Sequence, residues 1–464
     1  MLTPQDLTRR KFIGNACAAV GATGVLSALA QLRMIGAVAG DSAALAGSSA
    51  SYKALVCVFL YGGNDANNVL IPTDNSSYAT YAAQRTALAI PQANILSISP
   101  KSYNDGRQFG LHPSLTELQA LFAQGKLAVL ANTGTLLRPT TLSQYLSGTA
   151  SLPPQLFSHA DQQTQWQSSL SDRPFQTGWG GRLADLIDAL NTNSTISMSI
   201  SVAGQNSFQV GNTVSEYAVS PSGAVTLTGA TGGTINPVRY GAQLDLLSQT
   251  EQNLFQAAFA NTTKSAIADA TLLTSLLTGA VALKTTFPTT TLGTQLSMIA
   301  KLISAAPQLG LKRQIFFASL GGFDTHTVEL ATQGPLLTQV SQALNAFYSA
   351  TVELGVSNQV TAFTASDFSR TYNTNGNGAD HGWGSNHMIL GGAVNGGDLY
   401  GKVSSLQIGG PDDTGRGRWI PSTSVDQYAA TLASWFGVSA TNLPTVFPNV
   451  GRFATSDLGF MAAG

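Results

Sequence analysis

Three apolar runs of strand length, each ending in an acid, constrain the fold of this chain more than any other feature. Ala54–Leu60 leads into Tyr61-Gly62-Gly63-Asn64-Asp65, and Gln314–Leu320 leads into Gly321-Gly322-Phe323-Asp324-Thr325-His326. Gln359–Thr364 leads into Ala365-Ser366-Asp367, and Leu127–Ala131 and Met388–Val394 are further runs of similar length. Runs this short, apolar throughout rather than alternately, predict strands covered on both faces, the usual condition of a parallel sheet. Between them, Leu115, Leu118, Leu121 and Phe122 form a helical stripe after Pro113. Leu183, Leu186 and Leu190 form another after Gly180-Gly181, and residues 332–354 and 425–436 read as further amphipathic helices. Strand–helix alternation predicts an α/β fold with a doubly wound, mainly parallel sheet. Residues 195–235, rich in Ser, Thr, Gly and Val, read as a small β excursion, and 240–305 as helices. Residues 195–305 are therefore expected to be a mixed β/helical insertion or cap on a domain spanning 52–464.

If the three acid-tipped strands are parallel, their C-terminal ends share the sheet edge where open α/β proteins bind ligands. Asp65, Asp324 and Asp367 would converge there. Carboxylates brought together raise one another's pKa unless a positive charge sits among them, and a divalent cation is the usual solution. The chain has only five histidines, at 112, 159, 326, 381 and 387, so their placement carries information. His326 follows Asp324 by two residues, and His381 directly follows Asp380 in a Gly/Asn-rich loop. Mixed carboxylate and imidazole donors suit zinc, manganese or iron, and with fewer imidazoles magnesium or calcium. Each residue also has a structural reading. Asp324 or Thr325 could cap the following helix. Asp65 could be a turn residue, and Asp367 could pair with Arg370. His112, beside Pro113, reads as a packing or capping residue, while His159 and His387 are undecided. Asn373, Asn375 and Asn377, interleaved with glycines, suggest a mobile loop.

Composition excludes some function classes. Charged residues are only 10% of the chain, and Lys plus Arg (23) nearly balance Asp plus Glu (24), with no basic block after the first dozen residues. No nucleic-acid footprint or polybasic membrane patch is therefore expected. Thr8-Arg9-Arg10-Lys11-Phe12-Ile13 fits a twin-arginine export signal, followed by a mild Ala/Gly/Val/Leu segment to about residue 30. That segment is too weakly apolar for a spanning anchor, which needs about 20 strongly apolar residues. Ala37-Val38-Ala39 and Ala44-Leu45-Ala46 are candidate cleavage sites. Residues 1–46 thus read as signal peptide and flexible start, predicting twin-arginine export to the periplasm or beyond, with no membrane span in the mature protein. Cys17 lies in this leader and Cys57 in the first apolar run, so no internal disulfide or cysteine-based zinc site is expected in the mature chain.

These residues carry a family resemblance. Phe59–Pro72, Gly110–Leu115, Ser158–Trp166, Thr177–Arg182, Gly321–His326, Ser366–Thr371, Asp380–Gly397 and Pro421–Tyr428 span nearly the whole mature chain in order. In them the chain resembles twin-arginine-exported bacterial proteins of unknown function placed in the alkaline phosphatase/sulfatase superfamily. The resemblance implies an alkaline-phosphatase-like fold holding one or two divalent metal ions (zinc, manganese, iron or calcium) at the sheet edge. It implies hydrolysis of a phosphate or sulfate ester, small or polymeric, by a metal-activated nucleophile. Carried over by position, Asp65 resembles the acid after the first strand. Asp324, His326 and His381, with the neighbouring Asp380, resemble one metal's ligands, and Asp367 resembles an acid of the other. Ser158 falls roughly where the superfamily puts its nucleophile. Phe368 stands where the superfamily has a histidine, so either His387 or another side chain fills the gap, only one metal binds, or the site is inactive. The alternative function is a non-catalytic extracytoplasmic binding or assembly protein with an exported protein partner. Phosphoryl transfer would use the same site.

Overall fold

The computed structural model describes residues 51–191, 196–226, 235–249, 253–279 and 282–462; the expected leader lies outside them. The chain folds as an α/β protein around a ten-stranded, mostly parallel sheet. In chain order the strands are β1 (Lys53–Leu60), β2 (Leu70–Pro72), β3 (Leu96–Ile98), β4 (Phe109–Leu111), β5 (Leu127–Gly134), β6 (Ser199–Ser201) and β7 (Tyr217–Ser220). They continue with β8 (Gly223–Ala224), β9 (Arg313–Leu320), β10 (Val360–Ser366), β11 (Ser385–Gly391), β12 (Asp398–Gly401) and β13 (Thr423–Ser424). The large sheet runs β12-β5-β11-β10-β1-β9-β6-β7-β8, with β13 paired to the end of β5, while β2, β4 and β3 form a separate small sheet.

The apolar runs are strands because both their faces are covered. Every residue of β5 and all of β1 after Lys53 are buried or nearly so. Cys57 lies inside β1, where burial pushes its thiol well up, so it is packed and unreactive. The stripe after Pro113 forms the helix Thr116–Ala123, and the stripe after Gly180 forms Trp179–Ile187. Two long helices, Glu329–Glu353 and Val425–Phe436, cover the sheet through mostly apolar faces. The second begins at a reciprocal cap, Ser424 with Gln427, which satisfies orphan amides of its first turn.

One expectation needs correction. The run Met388–Val394 was expected as one of the parallel strands, but the strand is Ser385–Gly391 and lies antiparallel to both neighbours, β10 and β5. An apolar run reports coverage of both faces and not the direction of the chain. Residues 392–394 instead turn away from the sheet, with Gly392 N–H donating to the Ser357 carbonyl. Within 195–305, β6 pairs in parallel with β9 and so continues the large sheet. The helix Thr291–Ser304 packs its buried apolar face on the helix Glu329–Glu353.

The register places the candidate site. Leu60 lies opposite both Ser366 of β10 and Leu320 of β9, so these three strands end at one level. β5 ends at the same edge, because β13 runs beside Thr133–Gly134, and the reversed β11 begins there, with Ser385 opposite Thr133. Chain leaving β1, β5, β9 and β10 therefore meets chain entering β11.

Candidate metal centre

Asp324, in the loop after β9, is the focus of the cluster. Its Oδ1 lies 3.5 Å from His159 Nε2, 3.2 Å from His326 Nε2 and 3.7 Å from His381 Nε2. Single donor atoms of His159, Asp324 and His381 all lie within 4.8 Å of one another, the separation expected of groups able to share one cation. His326 Nε2 lies 2.8 Å from His381 Nε2. Arg370 is ion-paired to the same Asp324 oxygen. Burial pushes the Asp324 carboxyl up, but Arg370 and the histidines outweigh it and hold it below the ordinary range.

Each imidazole is fixed from behind by an oxygen acceptor. His159 Nδ1 donates to Asp367 Oδ2 at 2.6 Å, and His381 Nδ1 donates to the Phe157 carbonyl at 2.6 Å. His326 Nδ1 lies 3.3 Å from Asp380 Oδ1. A carboxylate or carbonyl only accepts, so these contacts put a proton on Nδ1 and turn Nε2 toward Asp324. His159 Nε2 is buried with no hydrogen-bond partner. A buried, unpartnered ring nitrogen aimed into a group of carboxylate and imidazole ligand atoms fits a cation there. Three imidazoles and a carboxylate match the ligand types of zinc, manganese or iron more closely than an all-oxygen calcium site.

The surrounding backbone is built to bring these loops together. Gly62, after β1, has φ +113, and a Cβ on it would fall 2.4 Å from Asp324 N, so the β1 loop can lie against the β9 loop only with glycine there. Asp367 is fully buried and accepts from Gly62 N–H (3.2 Å), Gln163 Nε2 (2.7 Å) and His159. The Gly/Asn-rich loop is laced rather than loose. Asn375 Nδ2 donates to the His326 carbonyl (3.0 Å) and to Asp380 Oδ1 (3.1 Å), and Gly378 packs where a Cβ would strike His326.

Of the residues singled out in the sequence, Asp324, His326, Asp380 and His381 come together. Asp367 joins them one shell out, holding His159 instead of pairing with Arg370. The structure puts Asp65 elsewhere: its carboxylate is ion-paired to Arg85, which also bonds Glu329 Oε1 at 2.9 Å, and it caps the short turn Ala66–Asn68. His387 also stands apart. It is buried on β11 against Trp166 (4.6 Å between ring centroids) and Tyr428 (6.0 Å), and burial lowers its pKa to about 3. Ser158 immediately precedes His159, but its Oγ donates to Asp161 Oδ2 at 2.6 Å within the first turn of the helix His159–Ser168. Phe368 packs beside the cluster, its ring 4.8 Å from that of His159 and 4.7 Å from that of His381. Of the two histidines the sequence left undecided, His159 is the one that joins the cluster; its signal was only that it is one of five histidines, next to a residue already suspected. His112 is a local packing residue, its Nδ1 accepting from Ser114 N–H.

A family model described as Protein of unknown function (DUF1501) matches residues 52–410. No protein in the curated set matches the sequence. Solved structures similar to this one include a sulfatase, PsFucS1, from Pseudoalteromonas sp. (10% identity, 89% of this chain and 73% of that one, TM-score 0.36). Another is the lipoteichoic acid synthase LtaP from Listeria monocytogenes (7% identity, 87% of this chain and 76% of that one, TM-score 0.36).

Proposed function

We propose, from the premise that the chain belongs to the DUF1501 family, that it is a metal-dependent hydrolase of a phosphate or sulfate ester working outside the cytoplasm. The observation that carries this reading is the convergence of three Nδ1-anchored imidazoles on one carboxylate oxygen. His159, Asp324, His326 and His381 would hold the cation, with Asp367, Asp380 and the Phe157 carbonyl fixing the rings. A divalent cation there would supply Lewis acidity toward the ester oxygens and lower the pKa of an attacking hydroxyl or water. The protein's own part is to aim the three Nε2 atoms inward, and to neutralise Asp324 with Arg370. Ser158, the expected nucleophile, would have to release Asp161 before attack, so a water-derived nucleophile fits the resting arrangement better. The twin-arginine pattern at Thr8–Ile13 supports export, and no helix among the described residues is long and apolar enough to cross a membrane.

A non-catalytic binding protein is the competing reading, and the engaged Ser158 hydroxyl is the observation favouring it. The test is metal content by plasma mass spectrometry on protein purified without chelators. Wild type should carry one equivalent, and Asp324→Ala and His159→Ala should lose it while keeping wild-type circular dichroism. Metal-free wild type, or full occupancy in both variants, would remove the assignment. Retained metal with no turnover across a panel of phosphate and sulfate esters would favour the binding protein.

A further inference from the structure

Two arginines stand at the mouth of the cluster on one tight turn, in a chain with few cations. In Asp413-Thr414-Gly415-Arg416-Gly417-Arg418 the Asp413 carboxylate accepts from Gly415 N–H (2.7 Å), Gly417 N–H (2.7 Å) and Gly409 N–H (2.9 Å). The turn is docked to the loop after β10: Tyr372 N–H donates to the Gly417 carbonyl (3.3 Å) and Asn373 N–H to the Arg416 carbonyl (3.1 Å). Arg416 is held between two left-handed glycines at φ +62, a region that costs an ordinary side chain of the order of 1 kcal/mol or more. An arginine occupying that position points to a use for its side chain.

That side chain pairs with Asp380 Oδ2, the carboxylate whose other oxygen faces His326. Arg418 lies alongside. Its Nε donates to the His381 carbonyl (2.9 Å), its guanidinium sits 5.0 Å from the centre of the Phe157 ring, and no other nitrogen of its side chain has an acceptor among the described residues. Arg416 is thus one residue removed from a candidate ligand, and Arg418 touches one directly.

Charge and exposure decide what they are for. Asp324, Asp367 and Asp380 are balanced by Arg370, Arg416 and Arg418, so a divalent cation would leave a double positive charge at the mouth. Arg370 is fully buried and committed to Asp324 and four backbone carbonyls, so it is not available to a ligand. The Arg416 side chain is 44% exposed. An ion pair that open contributes only about 0–1 kcal/mol and exchanges readily for a doubly charged partner.

We propose that the turn Asp413–Arg418 is the anion clamp of this site: Arg416 leaves Asp380 and, with Arg418, takes the charged oxygens of a bound oxyanion ester. The inference rests on the hydrolase reading and adds that the preferred ligand is dianionic, as a phosphate monoester is. No bond is made or broken in this step; one ion pair is exchanged for another.

The probe is inorganic phosphate, titrated calorimetrically into wild type, Arg416→Gln, Arg416→Lys, Arg418→Gln and Arg416→Gln/Arg418→Gln, with metal content measured on each sample. Each Gln variant should keep its metal and bind phosphate about tenfold more weakly, the double variant weaker still, and Arg416→Lys should recover part of the loss. A phosphate monoester, a dianion at neutral pH, should also bind more tightly than the corresponding sulfate monoester, which is a monoanion. Unchanged phosphate affinity in variants that retain metal would overturn the clamp, as would wild type that binds no phosphate. Loss of metal from Arg416→Gln would overturn it too, making Arg416 a positioning residue for His326. Wild type lacking metal but losing phosphate affinity in the Gln variants would sink the hydrolase reading and leave the clamp standing.

Discussion

Asp367 accepts three hydrogen bonds and touches no proposed cation position, yet it fixes which nitrogen of His159 faces the cluster. Asp367→Asn preserves shape, but its amide can meet Nδ1 as a donor and so permit the other tautomer. Metal affinity should drop about 10- to 100-fold, the usual cost of losing a partner behind a ligand. Competition with a chromogenic chelator would measure it, and unchanged affinity would show that His159 is not held by this contact. At this scale the sequence was legible in part. Asp324-Thr325-His326 and Asp380-His381 announced themselves because ligand types stood next to one another in glycine-bearing loops. Asp367 was read as an acid of a second metal or as a partner of Arg370; Arg370, only three residues along, turns to Asp324 instead. Asp65 misled for the same reason: a carboxylate at a strand end says nothing about the arginine, twenty positions on, that reaches back to it.

Between elements, a buried charge cluster ties the loop after β1 to the helices Asn75–Arg85 and Glu329–Glu353. Arg85 and Glu329 are fully buried, and Arg85 bonds Asp65, Glu329 and the carbonyls of Thr371 and Tyr372. Removing Arg85 by Arg85→Met would strand Asp65 without compensation, and should cost about 3–5 kcal/mol in urea unfolding. Glu329 behaves differently, because burial first and Asp65's charge second push its carboxyl up toward the protonated form. A group whose folded pKa is raised gives stability that is full below its unfolded pKa and lost as pH rises through the folded one. Glu329→Gln should therefore be close to neutral near pH 5 and more stable than wild type near pH 9; equal pH dependence of the two proteins would show Glu329 is ionised in the fold. The strands of the central sheet were legible because continuous apolarity needs two covered faces. The reversal of β11 was not, and it matters, because it places Asp380 and His381 on a loop that enters the sheet at the site edge.

At the scale of the whole molecule, a buried histidine away from the cluster contributes to acid sensitivity. His387, buried between Trp166 and Tyr428, has its pKa lowered to about 3 by burial, so between the ordinary value near 6.5 and that point only the unfolded chain takes up its proton. A depressed group of this kind gives stability that is present above its unfolded pKa and lost as pH falls toward the folded one. Relative to His387→Leu, wild type should lose up to about 1.4 kcal/mol per pH unit below pH 6.5. Parallel curves in chemical denaturation from pH 7 to 4 would refute that burial cost. At this scale the α/β class and the shared strand edge could be read from the sequence, because both follow from pattern. The continuation of the sheet into β6 could not, since its three residues, Ser199-Ile200-Ser201, are too few and too polar to stand out.

The four inward-facing donors come from positions 159, 324, 326 and 381, brought together only by the pairing of strands far apart in the chain. A ribosome must reach residue 381 before the last of them exists. No partial chain holds the full set, so cation choice waits on completed folding. If the protein crosses a membrane already folded, the ion it carries was selected from the pool on the side where it was made.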